Sequence, residues 1–193
     1  MRDAIVCSSA NFCLNIILDC FAILKAMKMI TLVNLENVSD QEAATYRKRE
    51  AARAIVSDDE DRVALLHATK NGYYKLPGGG VEAGEDKIEA LKRECLEEIG
   101  CNVDITEELG SIIEYRGQKK LKQTSYCYIA KLVGEKGTVN LTESEIEEGF
   151  QTVWLTLPEA IRALENSKPT IYEGPYMVSR DLAFLKAASG RAQ

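Results

Sequence analysis

At 193 residues, 46% of them hydrophobic and 28% charged, the chain has the length and composition of one ordinary globular domain, which excludes collagen-like, disordered and disulfide-scaffold classes. A formal net charge of −6 works against nonspecific binding to nucleic acid polymers or anionic membranes, both of which need Lys and Arg against phosphate. Six cysteines without a C-x-x-C pair and a single histidine, His67, argue against zinc, and reduced thiols in a cytoplasm are the simpler reading.

In chain order, residues 11–30, NFCLNIILDCFAILKAMKMI, come first as the most apolar stretch, interrupted by Asp19, Lys25 and Lys28. A membrane span needs about 20 predominantly apolar residues, and a secretory signal needs a basic start and a small-residue cleavage site. Neither fits, so no stable membrane insertion is expected. Residues 1–28 read as an appended apolar extension, or as an amphipathic helix packed on a single domain of residues 29–193.

Residues 51–56 and 62–67 flank the acidic SDDED and predict a β-hairpin. Asn71-Gly72 marks a turn, and residues 73–76 a short strand that leads into Pro77 and the glycines Gly78, Gly79 and Gly80. A helix follows, with Asp86 as N-cap, Ile88, Leu91, Cys95 and Ile99 on one face, and Gly100 as its stop. Strands are predicted over 108–116 and 124–133, joined by the basic turn GQKKLK, and over 152–157 with Trp154. Helices over 158–166 and 174–188 close the chain. Helices between and after strands place the chain in the α/β class, with a mixed sheet covered on both sides.

The stretch PGGGVEAGEDKIEALKRECLEEIGC, residues 77–101, holds a glycine triplet and seven acidic residues. At about 100° per residue, Glu94, Glu97 and Glu98 form one carboxylate patch on the side away from the apolar face. Carboxylates this close repel, and hard divalent cations such as Mg²⁺ or Mn²⁺ relieve the repulsion. Such ions can hold a phosphate chain and activate water, and glycine backbone can approach them where a Cβ would block the way. The plainer alternative is a solvated helix face on which Arg93 pairs with Glu89 and Glu97 at i,i+4.

The spacing resembles the Nudix box, G-x5-E-x7-R-E-U-x-E-E-x-G-U with U a bulky aliphatic. Gly79, Glu85, Arg93, Glu94, Glu97, Glu98 and Gly100 fill its fixed positions, while Cys95 and Cys101 stand at the U positions. Seven such matches coincide by chance on the order of once in 10⁸ starting points. The resemblance extends over about residues 45–190 and implies an α/β/α sandwich with a mixed sheet and a loop-helix-loop catalytic motif. It implies hydrolysis of a nucleoside diphosphate linked to another moiety, by water attack on a pyrophosphate, with Mg²⁺ preferred and Mn²⁺ as a substitute.

By the same resemblance, Glu94 and Glu98 become principal metal ligands, Glu97 assists, the Gly79 carbonyl completes the coordination, and Arg93, braced by Glu85, orients the carboxylates. The segment TESEIEEGF offers Glu145 and Glu148 as an added ligand or base, against the alternative of a solvated acidic loop. Glu82 and Glu89 read as solvated. Replacing Glu98 with Gln is expected to cut kcat by orders of magnitude at little cost in stability.

Substrate markers thin out beyond the box. The proline of ADP-ribose-cleaving members is missing where Tyr115, Arg116 and Gly117 stand, which leaves a nucleoside triphosphate or a nucleotide sugar as the default. Tyr73, Tyr74, Tyr126, Tyr128 and Trp154 are candidates for stacking on a base, with sheet packing as the alternative. Two rival functions stay open: a nucleotide-sensing module that does not cleave, and an isoprenoid diphosphate isomerase. A small-molecule diphosphate is the expected partner, and a homodimer is left open.

Overall fold

The computed structural model describes residues 28–191. The extension expected over residues 1–28 therefore lies, apart from Lys28, outside the described residues.

Seven strands form one mixed sheet: β1 (Met29–Val33), β2 (Arg47–Ser57), β3 (Arg62–Ala68), β4 (Tyr73–Lys75), β5 (Asn102–Arg116), β6 (Leu121–Val133) and β7 (Phe150–Thr156). Their order is β1-β5-β6-β2-β3-β4, with β7 paired to the other edge of β3. The β1–β5 and β2–β6 pairs are parallel and the rest antiparallel. The helices are α1 (Asp40–Ala43), α2 (Lys87–Ile99), α3 (Glu143–Glu148), α4 (Leu157–Glu165) and α5 (Gly174–Ser189). Among the described residues no helix is long and apolar enough to cross a membrane.

Alternation along the strands makes two cores. Ala52, Ala54 and Val56 of β2 and Ala64 and Leu66 of β3 point to one face, where Leu91, Cys95 and Ile99 of α2 cover them. Ile55, Val63 and Leu65 point to the other face, where Ala160 and Leu164 of α4 and Phe184 and Leu185 of α5 close it. A strand buried on both sides reads as a continuous apolar run, which is why residues 51–56 lack a clean period of two. The outcome is the α/β/α sandwich that the sequence implied.

The expected hairpin differs in one respect that shapes the site. β2 and β3 pair only at Ser57 and Val63 and then part. β4 takes over that edge of β3. The edge of β2 is taken by the glycine segment: Ala54 N–H donates to the Pro77 carbonyl at 3.1 Å, Ala52 N–H to the Gly79 carbonyl at 3.0 Å, and Val81 N–H to the Glu50 carbonyl at 3.1 Å. The sheet thus forks, and the glycines lie in the fork. Gly78 is required there, since its φ is +125° and a Cβ would stand 2.2 Å from the Ala52 carbonyl oxygen.

Three elements were not read from the sequence. β1 and α1 are short, and α3 is a helix of six residues where an acidic loop was the alternative. Thr142 and Glu145 start α3 with reciprocal hydrogen bonds, and Gly149 ends it at φ +70°.

Candidate active site

The site begins with how α2 is fixed. The Asp86 carboxylate accepts from the N–H groups of Ile88 and Glu89 at 2.7 and 2.9 Å, while the Glu89 side chain accepts from Asp86 N–H at 3.2 Å. Glu89 therefore closes a capping box, beyond the solvated role expected of it. Gly100 ends the helix at φ +65°. With Leu91, Cys95 and Ile99 held in the core, the rotation of α2 is set and its glutamates face the fork of the sheet.

Arg93 gathers that face. Its Nε and Nη2 donate to Glu85 at 3.0 and 3.2 Å, its Nη1 to Glu94 Oε1 at 2.9 Å and Glu97 Oε2 at 3.2 Å, and its Nη2 also to the Gly80 carbonyl at 3.3 Å. A planar guanidinium can serve all four partners at once, which an ammonium cannot. The hydrogen bonds from Arg93 hold Glu85 below the usual carboxylate range, and those to Glu85 foremost push Arg93 up. The Glu94 carboxylate lies against Gly79, where an added Cβ would stand 2.0 Å from Oε1.

Glu98 points inward and is 2% exposed. Lys75 Nζ donates to its Oε1 at 2.7 Å and Gly78 N–H to its Oε2 at 2.6 Å. Burial pushes the Glu98 carboxyl up, opposed by Lys75 and by the Gly78 N–H, which favour the charged form. Gln at 98 would leave Lys75 as a buried charge facing no carboxylate, so the small stability cost expected from the sequence is revised upward.

These groups line a cavity of about 550 Å³ that also takes in Arg49, Arg53, Gly78, Gly79, Gly80, Glu82, Glu145 and Met177. The acidic rim of α2 faces basic side chains from β2 and β4. A second lobe of about 350 Å³ adjoins it, sharing Lys75, Thr142, Glu145 and Met177 and adding Tyr73, Arg116, Glu148 and Phe150. Of the two later glutamates, Glu145 borders both lobes while its carboxylate accepts from Thr142 N–H and Oγ1, each at 2.8 Å. Glu148 borders only the second lobe of the two, where Asn71 Nδ2 and Tyr73 OH donate to it at 3.0 and 3.2 Å.

Of the aromatic candidates, Tyr73 alone borders these lobes. Tyr74 stacks on His67 with ring centres 4.1 Å apart, Lys87 covers Tyr126, and Lys136 covers Trp154. Tyr128 is buried in the core beneath α2. The residues missed in the sequence are the basic ones, Arg49, Arg53 and Lys75. A signal was present, because Arg53 interrupts the apolar run AARAIV.

The donor set suits a hard divalent cation. Glu94, Glu97 and Glu98 bring carboxylates to the cavity, the oxygen donors that such an ion prefers, and the bare Cα of Gly79 leaves room for the Glu94 carboxylate. Among the described residues no three such groups converge tightly enough to hold an ion as they stand, because Arg93 holds two of these carboxylates and Lys75 the third. The Gly79 carbonyl accepts from Ala52 N–H and keeps one free lone pair.

The family model described as NUDIX domain matches residues 47–174, well over half of the chain. The chain belongs to the Nudix hydrolase family. Nudix hydrolases are pyrophosphohydrolases that act on phosphoric anhydrides and generally use divalent metals. Among curated Nudix relatives, a rat protein named diphosphoinositol polyphosphate phosphohydrolase 2 is 27% identical over 125 residues, covering 64% of this chain and 66% of that one. That match spans just under two thirds of the relative. A protein of a Sulfurovum species named RNA pyrophosphohydrolase is 28% identical over 144 residues, covering 68% and 91%. The solved structure of a Nudix hydrolase from Nitrosomonas europaea, 17% identical, superposes with a TM-score of 0.58 over 75% of this chain and 90% of that one. At that identity the likeness speaks for the fold.

Proposed function

We propose that residues 29–193 form a single Mg²⁺-dependent Nudix hydrolase domain that cleaves a phosphoric anhydride in a small phosphorylated substrate. The observation that carries this reading is the opposition of charge across one cavity: Glu94, Glu97 and Glu98 on α2 face Arg49, Arg53 and Lys75. Carboxylates alone would repel a polyphosphate, and basic groups alone would bind it without a site for a metal.

In this reading Glu94 and Glu98 are the principal ligands, with Glu97 and the Gly79 carbonyl supporting them. A divalent cation held there supplies Lewis acidity toward the phosphate oxygens and the attacking water. The protein's own contribution is positional. Arg93 fixes the orientation of Glu94 and Glu97, Glu85 fixes Arg93, and the basic wall draws the phosphate chain across the fork. Glu145 is the better-placed added base, since it borders the same lobe as the box glutamates. The second lobe, with Tyr73, Phe150 and Met177, receives the rest of the substrate.

The names of the two relatives, a diphosphoinositol polyphosphate phosphohydrolase and an RNA pyrophosphohydrolase, both favour hydrolysis of a phosphoric anhydride over isomerisation of an isoprenoid diphosphate. The test is a panel of nucleoside triphosphates, nucleotide sugars, diphosphoinositol polyphosphates, 5′-triphosphorylated RNA and isopentenyl diphosphate, assayed for released phosphate or pyrophosphate with Mg²⁺. Turnover that chelation abolishes is the expected result. Binding without cleavage across the panel, or isomerisation of an intact diphosphate, would refute the hydrolase reading.

A further inference from the structure

The chain crosses the fork of the sheet at Leu76. Lys75 ends β4, which pairs with β3, and the Pro77 carbonyl already accepts from Ala54 of β2, so the backbone between them leaves one strand edge for another. An N–H caught at such a crossing has no ladder partner, and burying it unpaired is costly. Leu76 has no exposed surface and packs among the apolar residues of α4 and α5. Its N–H donates to Asp181 Oδ2 on α5 at 2.9 Å.

Asp181 is itself held in place. Arg180 Nε donates to its Oδ1 at 2.6 Å and Arg180 Nη2 to its Oδ2 at 3.0 Å, and neither residue has any exposed surface. Adjacent positions on a helix do not normally face each other, so this pair forms because both side chains turn into one buried space. A planar guanidinium bonded to both oxygens fixes the plane of the carboxylate, and with it the direction of the bond to Leu76. Burial works against the charge on Arg180, but Asp181 and Glu114 outweigh it and hold the guanidinium above its ordinary range.

Leu76 lies between two groups that hold Glu98: Lys75 Nζ donates to its Oε1 at 2.7 Å, and Gly78 N–H to its Oε2 at 2.6 Å. Glu98 belongs to α2, which covers one face of the sheet, and Asp181 to α5, which covers the other. The segment is therefore pinned from both layers, its ends on Glu98 and its middle on Asp181. A buried ion pair is often no more stable than apolar residues of the same volume, so stability alone gives no reason for a charged pair behind the site; a rigid acceptor for one N–H does. Asp181 also lies past residue 174, where the match to the family model ends.

We infer that Asp181, oriented by Arg180, is a positioning residue for the metal site: through the Leu76 N–H it fixes the segment whose Lys75 and Gly78 hold Glu98. The inference rests on the reading of Glu98 as a metal ligand. Asp181 touches neither metal nor substrate and acts through the backbone alone.

The test compares two double variants of the full chain. Arg180→Met with Asp181→Asn removes both charges and keeps an acceptor for the Leu76 N–H, whereas Arg180→Met with Asp181→Leu removes the charges and the acceptor together. Melting curves set a working temperature below both transitions, and Mn²⁺ is titrated without substrate, the free ion being followed by its electron paramagnetic resonance signal. The first double variant is expected to bind Mn²⁺ within about threefold of the parent and the second about tenfold or more weakly, the scale on which lost support of a ligand is felt. A purely structural role would lower Tm in the second variant and leave the two affinities alike. In the parent, the Leu76 amide is expected to exchange as slowly as the core amides of β3. Equal Mn²⁺ affinity in the two double variants, a parent that binds no Mn²⁺, or a Leu76 amide that exchanges as fast as an exposed loop would overturn the assignment. Mn²⁺ binding without turnover of any substrate would count against the hydrolase reading alone, since the comparison of affinities needs no cleavage.

Discussion

Lys75 and Glu98 form an ion pair at the base of the cavity, Nζ to Oε1 at 2.7 Å, with their side chains 11% and 2% exposed. The pair joins β4 to α2, so the carboxylate assigned as a principal metal ligand also takes part in the packing of the fork. Removing one partner leaves a charge with little water. Glu98→Gln is expected to cost about 2–3 kcal/mol, at the low end for a buried pair because Lys75 borders the cavity and water can reach it. Adding Lys75→Met should recover much of that loss without restoring turnover. Urea unfolding of the two single variants and the double variant, together with kcat for each, checks both halves; additive stability losses would show that the pair is not coupled.

Neighbouring glycines should separate stability from metal binding. At Gly79 the atoms nearest an added Cβ belong to the end of the flexible Glu94 side chain, the first of them Oε1 at 2.0 Å, so Gly79→Ala should displace the carboxylate while leaving Tm nearly unchanged. The Mg²⁺ concentration for half-maximal activity is then expected to rise by about tenfold or more, on the scale of a lost ligand. At Gly78 the obstacle is the Ala52 carbonyl and φ is +125°, so Gly78→Ala should destabilise by about 2–4 kcal/mol. A Mg²⁺ titration and a melting curve for each variant distinguish the two outcomes.

Glu145 and Glu148 can be compared by like substitution. Gln at 145 keeps the capping box of α3, and Gln at 148 keeps an acceptor for Asn71 and Tyr73, so each change removes charge with little else. Glu145→Gln is expected to lower kcat by about 10²-fold, as for loss of a general base, and Glu148→Gln by far less. Equal effects would count against the assignment of Glu145.

A dependence on pH is built into the β2–β3 turn. Desolvation would raise the Asp58 carboxyl, but hydrogen bonds from Lys136, Arg62 and the backbone outweigh it and hold the group well below the usual carboxylate range. Lys136 Nζ lies 2.6 Å and Arg62 Nη2 2.8 Å from Oδ2. A depressed carboxylate stabilises the fold at pH values above its unfolded value, near 3.9, and loses that contribution as pH falls toward the folded value. Asp58→Asn should therefore melt about 2–4 °C below the parent at pH 7 for each kcal/mol lost. The gap should narrow below about pH 4; a gap that stays constant with pH would mean that the carboxylate's charge is not its source.

Much of the sandwich was legible because its signals are local. Asp86 and Gly100 bracket α2, its apolar positions recur at helical spacing, and the box residues fall on one face whatever the rest of the chain does. The fork was not legible, since the parting of β2 from β3 depends on the glycine segment taking the edge of β2 that lies opposite β6, where β3 would otherwise pair. The basic wall was missed for a related reason. Arg49, Arg53 and Lys75 come from two strands, and they meet only once β2 and β4 are set side by side around the fork. Charge in a strand interior, as at Arg53, is the sequence feature that pointed there.

Because the Pro77 and Gly79 carbonyls accept from Ala54 and Ala52, the glycine segment shares its hydrogen bonds with a central strand. Hydrogen exchange then gives a direct readout of motion at the site. Any lifting of the segment exposes the amides of Ala52, Ala54 and Val81, whereas their neighbours on the β6 side of β2 stay protected until the whole sheet opens. Exchange at those three amides, slowed when Mg²⁺ and a product are added, would time the opening of the site inside the most buried part of the sheet.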